Sequence, residues 1–229
     1  MKVVNIWTTT DCNLDCTYCY EDSHLKNCGN FNQLLEDKLF CFLKENQFEY
    51  INFHGGEPLL NYQFLIEVTK KVYELNPKIK VGFTTNGTIM NAEILDFIRK
   101  FSSNFYNTVS VSIDGDKASF DICRYKKLGI SVYDQVIKNA LILNEVVKVR
   151  IRMTIIPDQI CNLTSNILKL YKLGFKTIIP IFEIYQYKWK KQNFIDLYEQ
   201  YKIMFELTHK YEASCIVVAN STPNLKIRY

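Results

Sequence analysis

Residues 3–20 decide how this chain folds, and they read Val3-Val4-Asn5-Ile6-Trp7-Thr8-Thr9-Thr10-Asp11-Cys12-Asn13-Leu14-Asp15-Cys16-Thr17-Tyr18-Cys19-Tyr20. The β-rich start predicts a strand, and a loop of the pattern C-x-x-x-C-x-x-C follows it at once. Spacings of four and three residues let one compact loop aim three thiolates at one point. Clustered iron favours thiolate ligands, and three of them leave one iron of a 4Fe–4S cube open to a chelating co-substrate.

Two other interpretations of the cysteine loop stay open on spacing alone. Short cysteine loops commonly bind zinc, and Cys28 or His24 would complete a tetrahedral set, which would make the chain a non-enzymatic zinc-binding module. A disulfide is disfavoured because the composition is that of a chain in a reducing cytosol.

The bulk composition supports that location and bounds the class of protein. The chain has 229 residues, of which 48% are hydrophobic and 23% charged, as expected for one compact domain. No apolar stretch is long enough for a transmembrane helix, and the N-terminus turns polar too soon for a signal peptide. The net charge of +4 is small, and its densest basic run, residues 188–191, does not require nucleic acid. We therefore expect a cytoplasmic protein with no membrane or nucleic-acid partner.

Beyond the first strand, β-rich runs alternate with amphipathic helical patterns. Strands are predicted near residues 3–9, 50–54, 79–85, 107–113, 147–154 and 176–184. Helices are predicted near residues 32–46, 59–75, 91–101, 131–146, 162–173 and 193–212. Six β–α units of this kind indicate an α/β fold with a parallel sheet.

The predicted strands have one apolar and one polar face. Val109 and Val111 share one face of the fourth strand, while Ser110 and Ser112 share the other. The strands of a closed eight-stranded barrel are almost continuously apolar, so alternation favours a partial (β/α)6 TIM-like barrel with a polar concave face. An antiparallel sheet would also alternate, but the intervening helices argue against it.

The loops after the strands carry further motifs. His54-Gly55-Gly56-Glu57-Pro58 follows the second strand, Thr85-Asn86-Gly87 the third and Ser112-Ile113-Asp114-Gly115 the fourth, and Arg124 comes later. Loops at the carboxyl ends of parallel strands hold the active sites of α/β folds. Paired glycines let backbone approach a ligand closely, and Glu57 is not a favoured helix-cap residue, so a cation would better explain its carboxylate.

Together with an aromatic residue just before the third cysteine, these motifs resemble the radical S-adenosylmethionine (radical SAM) superfamily. The resemblance covers residues 8–184, and it looks closest to the peptide- and protein-modifying branch that includes anaerobic sulfatase-maturating enzymes and ribosomal-peptide maturases. It implies that Cys12, Cys16 and Cys19 hold a 4Fe–4S cluster. The implied contacts to S-adenosylmethionine are Tyr18, Gly55, Gly56, Glu57, Ser112, Arg124 and Ile184.

Within that resemblance, each contact has an expected role. Glu57 would bind the methionyl amine and Arg124 the methionyl carboxylate, while Tyr18 (chiefly through its backbone) and Ile184 would lie near the adenine. The unremarkable alternatives are a solvated glutamate, a surface arginine and ordinary core packing. No catalytic side chain follows from the motifs, although His54 and Arg152 are expected on the concave face, where each could touch substrate; the alternatives are a structural histidine and a surface or sheet-edge arginine.

The activity that the resemblance implies is reductive cleavage of S-adenosylmethionine to a 5′-deoxyadenosyl radical, which abstracts hydrogen from a substrate. The expected substrate is a peptide or protein, and the expected electron donor is a small protein such as flavodoxin or ferredoxin. The alternative is a glycyl-radical-type activase or a small-molecule radical SAM enzyme.

The sequence also departs from the family pattern. Phe120 stands where many relatives have histidine, and Cys215 is the only cysteine after residue 161. Relatives usually continue into a C-terminal domain that binds auxiliary clusters. We expect a partial-barrel domain at 1–213 and an extension at 214–229 that packs on the sheet without binding metal, in either a complete or a truncated chain.

Overall fold

Six parallel strands form a single sheet in a computed structural model that describes residues 2–20, 33–46 and 48–211. The strands are β1 (Val3–Trp7), β2 (Tyr50–His54), β3 (Lys80–Thr85), β4 (Ser110–Ser112), β5 (Arg150–Ile155) and β6 (Thr177–Phe182). They pair in sequence order, and every pair is parallel. The predicted parallel α/β partial barrel is therefore confirmed.

Helices connect the strands, as the predicted βα alternation requires. They are α1 (Gln33–Glu45), α2 (Tyr62–Leu75), α3 (Ala92–Lys100), α4 (Ser102–Phe105), α5 (Lys117–Cys123), α6 (Tyr133–Val147), α7 (Leu163–Lys172) and α8 (Lys191–Tyr211). Pro58 opens a short 3₁₀ turn before α2, where its missing N–H and fixed φ suit the first helical position.

One face of the sheet is buried against these helices. Phe53, Phe83 and Ile151 are inaccessible to solvent and pack in one cluster with Val68 of α2 and Leu143 of α6. Burying such a side chain contributes roughly 1.5–3 kcal/mol, so this layer is the main source of stability. The opposite, concave face alternates with it and is half-buried, as along β2 and β5.

Several short elements were not predicted, among them α4, α5 and a small antiparallel ribbon. Helix α5 has seven residues, and Asp116 caps it by accepting a hydrogen bond from Ser119 N at 3.0 Å. A two-residue antiparallel ribbon, Tyr125–Lys126 with Ile130–Ser131, follows it. Helix α5 and the ribbon are too short for a periodic signal. Arg124 directly follows α5 as its C-cap, and the helix thereby positions Arg124.

Some expectations lie outside the described residues: Cys28 and His24 as zinc ligands, and the extension at 214–229 with Cys215. In the part of the chain that is described, no helix is long and apolar enough to cross a membrane.

Candidate active site

The cysteine loop leaves β1 and is held by backbone hydrogen bonds from two sides. Glu57 N, beyond the end of β2, donates to Asp11 O at 2.8 Å. On the other side, Thr17 N donates to Cys123 O, the last residue of α5, at 3.1 Å. Cys12, Cys16 and Cys19 are half-buried free thiols on this loop. The loop is therefore fixed at the carboxyl end of the sheet.

Gly55 and Gly56 approach backbone closely, but that backbone belongs to the protein itself. A Cβ on Gly55 would lie 2.3 Å from Thr9 O, and one on Gly56 would lie 2.3 Å from Asp11 O. The observed reason for the paired glycines is thus the close packing of this turn on the start of the cysteine loop. Their contact with the co-substrate stays a prediction.

Glu57 is fully buried and caps the 3₁₀ turn at Pro58, although glutamate is not a favoured cap residue. Its Oε1 accepts from Leu59 N at 3.0 Å and from Thr85 Oγ1 at 2.7 Å, while Oε2 accepts from Asn86 N at 2.6 Å. Burial raises its pKa to about 7, although these donors favour the charged form. A carboxylate offers about four lone-pair sites, so a further donor such as an amine can still bind.

Asp114 connects three elements of the site. It accepts from Arg124 Nε at 2.7 Å, from the Tyr18 hydroxyl and from Thr154 N at 2.8 Å. The Arg124 guanidinium also lies 5.1 Å from the centre of the Tyr18 ring. Asp114 therefore ties the cysteine loop to the end of α5 and to β5.

Arg124 is 8% exposed, which rules out the surface-arginine interpretation. Burial alone would lower its pKa, but Asp114 beside it raises the pKa above its ordinary value, so the charge is retained. Since Nε is used by Asp114, the terminal nitrogens remain for other partners, and Nη1 lies 4.0 Å from Cys16 Sγ. A permanent cation thus lies beside the cysteine loop.

Cys12 and Cys16 have raised pKa values, which favour the protonated thiol. Burial raises the pKa of Cys12, and it raises that of Cys16 to about 12, against the opposing effect of Arg124. Asn86 Nδ2 lies 3.8 Å from Cys12 Sγ and donates to Asn13 Oδ1 at 2.8 Å. A bound cation would have to stabilise the thiolates and release their protons.

The remaining predicted contacts lie at the same edge of the sheet. Ser112 ends β4 on the concave side and is 9% exposed. Ile184 lies two residues beyond β6 and is 59% exposed, so it is neither part of that strand nor core. Its apolar surface is open at the end of the barrel where the cysteine loop lies.

Glu183, which was not among the predicted site residues, organises the loop after β6. Its carboxylate accepts backbone hydrogen bonds from Tyr185, Gln186 and Tyr187 at 2.7–3.1 Å. Gln186 Nε2 then donates to Cys19 O at 2.9 Å. No local motif marks Glu183, whereas Asp114 and Asn86 stood inside quoted motifs and could have been singled out as buried polar residues after strands.

The residues present fit a cluster with a chelated co-substrate. Three free thiols on one loop would supply the ligands for three irons, and the described residues hold no set of three His, Cys, Asp or Glu side chains placed around a single ion. Beside them, the buried Thr10 Oγ1 has no hydrogen-bond partner in the described part of the chain.

Comparisons with known proteins agree with this geometry. A model of the radical SAM superfamily matches residues 7–160, more than half of the chain. The chain belongs to this superfamily, and its cofactors are a 4Fe–4S cluster and S-adenosylmethionine. When bound, the reduced cluster supplies the electron that cleaves S-adenosylmethionine.

Individual curated relatives share less than a third of their aligned residues with this chain. The chain is 29% identical over 182 residues to a cysteine-type anaerobic sulfatase-maturating enzyme of Clostridium novyi, covering 72% of this chain and 45% of the relative. It is 27% identical over 183 residues to a GTP 3′,8-cyclase of Clostridium perfringens, covering 78% and 53%. The chain thus spans about half the length of the curated relatives that it matches.

Among solved structures, the fold is similar to that of native anSMEcpe with bound AdoMet and Kp18Cys peptide. The TM-score is 0.80 at 18% identity, and the match covers 94% of this chain and 63% of that one. At this identity the likeness concerns the fold.

Proposed function

We propose that this chain is a radical SAM enzyme that modifies a peptide or protein. The observation that carries the proposal is its similarity to a cysteine-type sulfatase-maturating enzyme, at 29% identity over 182 residues. Support also comes from the anSMEcpe structure, which shares the fold and holds a peptide. The reaction is hydrogen abstraction from a side chain or backbone of the bound peptide.

Within this proposal, the chain's own residues bind and orient the co-substrate. Cys12, Cys16 and Cys19 hold the cluster, Arg124 offers its terminal nitrogens to the methionyl carboxylate, and Glu57 accepts from the methionyl amine. The exposed Ile184 covers the adenine. An electron donor such as flavodoxin or ferredoxin supplies the electron, and the free thiols suit a reducing cytoplasm.

A second candidate is a small-molecule radical SAM enzyme. The observation that favours it is the match to a GTP 3′,8-cyclase, which covers 78% of this chain. In that case the concave face holds a nucleotide or another small molecule in place of a peptide.

Substrate-dependent cleavage of S-adenosylmethionine distinguishes the two candidates. Anaerobically reconstituted protein with a strong reductant should form 5′-deoxyadenosine slowly, and faster when a cysteine-containing peptide is added. The peptide should change mass only when S-adenosylmethionine is present. Arg124→Lys keeps the charge but not the planar fork, so co-substrate affinity should fall about tenfold at full iron content.

The opposite result would be acceleration by GTP and none by peptides, which would favour the small-molecule enzyme. Unchanged co-substrate affinity in Arg124→Lys would remove Arg124 from the set of contacts. Arg99→Lys is the matched control, because Arg99 is exposed and pairs with Asp96 on the outside of the barrel.

A further inference from the structure

The concave face of the sheet carries two arginines and no acidic residue on its described strands. Arg150 and Arg152 are two residues apart on β5 and point to this face, because Ile151 and Met153 between and after them are buried in the helix-side core. Several other positions on this face are polar and uncharged, for example Asn52 of β2 and Ser110 and Ser112 of β4, and Lys80 at the start of β3 adds a third cation. The barrel interior is therefore electropositive.

Arg150 is held in place deep in the concavity. Its Nη2 donates to Thr108 O at 3.0 Å, and Tyr50 lies beside it. The Tyr50 hydroxyl occupies space that only glycine leaves open, since a Cβ on Gly82 would lie 2.3 Å from it. The buried Nε of Arg150 has no hydrogen-bond partner in the described structure. One donor of a fixed guanidinium is thus left unused.

Arg152 lies two residues beyond Arg150 on β5, nearer to the cysteine loop. None of the ion pairs among the described residues involves Arg152. In the strand register its Cα is opposite that of Ser112, a predicted co-substrate contact. Burial lowers its pKa, the positive charges of Arg150 and Arg124 act in the same direction, and Tyr20 and Tyr50 act against it. The guanidinium therefore lies next to the predicted reaction centre, and no described carboxylate acts as its counter-ion.

Two half-buried cations without a counter-ion repel each other, and this arrangement is costly unless an anion completes it. The same chain pairs its other buried arginine, Arg124, with Asp114 at 2.7 Å. Among the described residues, Arg150 and Arg152 lack an acidic partner where the barrel is open to a substrate, which suggests that the substrate brings the acid.

We propose that Arg152, with Arg150 behind it, binds an oxyanion of the substrate and so positions the substrate beside the co-substrate. The inference rests on the proposed function, and for a peptide the oxyanion is a carboxylate of an Asp or Glu side chain or of the chain terminus. Arginine suits this role because its planar donors match the two oxygens of a carboxylate.

A randomised peptide library, selected on anaerobically reconstituted holoenzyme with S-adenosylmethionine, tests the proposal. The wild-type protein should enrich peptides with an acidic residue or a free C-terminus at a fixed position, and added salt should weaken the selection. Arg152→Gln should lose at least tenfold of this enrichment. Arg99→Gln should keep it, because Arg99 is exposed on α3. Iron content and melting temperature show whether Arg152→Gln is folded.

The other outcomes separate this inference from the proposed function. Peptides enriched without any acidic preference, or equally by Arg152→Gln, would overturn the oxyanion site and leave a peptide substrate standing. If no peptide binds, GTP is the second probe. Arg152-dependent binding of GTP would support the oxyanion site, with a phosphate as its ligand, and would overturn the peptide-modifying function. Binding of neither probe would overturn both.

Discussion

At the scale of single residues, the site depends on buried charges that are paired inside the protein. Asp114 is inaccessible to solvent and accepts from a hydroxyl, a guanidinium and a backbone N–H. Each of these donors belongs to a different part of the site. Removing Asp114 therefore affects folding and site geometry together, unlike the loss of an exposed carboxylate.

Asp114→Ala should lower the free energy of unfolding by about 3–5 kcal/mol, because it leaves Arg124 buried without its partner. Asp96→Ala is the control. It removes an exposed ion pair with Arg99 and should cost less than about 1 kcal/mol. Urea denaturation of the metal-free proteins measures both values. Equal losses in the two variants would contradict the role assigned to Asp114.

At the scale of elements, the turn after β2 fixes the cysteine loop. Gly56 N donates to Thr9 O at 3.0 Å, and Glu57 N donates to Asp11 O at 2.8 Å. These bonds continue the parallel pairing of β1 with β2 beyond the strand ends. The position of Cys12 is thereby set by β2 as well as by its own strand.

Gly56→Ala should displace the cysteine loop, because the new Cβ would lie 2.3 Å from Asp11 O. We expect a loss of about 1–3 kcal/mol in unfolding free energy and reduced iron loading. Gly129→Ala is the matched control: a Cβ there has open space and meets only the strain of φ +70°, which costs about 1–2 kcal/mol. Iron analysis after reconstitution tests the prediction. Full iron loading of Gly56→Ala would show that the turn does not position the cysteine loop.

At the scale of the whole molecule, the predicted site residues lie together at one end of the barrel. Cys12 follows β1, Glu57 follows β2, Asn86 follows β3 and Asp114 follows β4, because the carboxyl ends of parallel strands meet at one edge. Cys41 and Cys161 are exposed in other parts of the fold, on α1 and in the turn before α7. The molecule should therefore bind one cluster.

Reconstituted protein should hold one 4Fe–4S cluster, or about four irons per chain. Cys12→Ala, Cys16→Ala or Cys19→Ala should remove it, and Cys41→Ala should not. Iron and sulfide analysis with the visible absorption spectrum measures this. Stoichiometric zinc without iron-dependent absorbance would contradict the prediction, and so would extra iron that depends on Cys161 and Cys215.

The sequence by itself determined the six parallel β–α units, the polar concave face and the superfamily. These follow from periodicity and from motifs that are contiguous in the chain, such as the cysteine loop and the residues 54–58. The short helix α5 could not be predicted from the sequence, since seven residues carry too little periodicity.

Only the tertiary structure decided what each polar group contacts. Glu57 is a buried cap, the paired glycines pack on backbone at Thr9 and Asp11, and Glu183 holds the loop that reaches Cys19. Glu57 and Thr85 are 28 residues apart in the chain, and Gln186 and Cys19 are 167 residues apart, so local pattern cannot specify these contacts. The tertiary structure also shows that Arg152 forms no ion pair within the described part of the chain, which depends on every element packed around it.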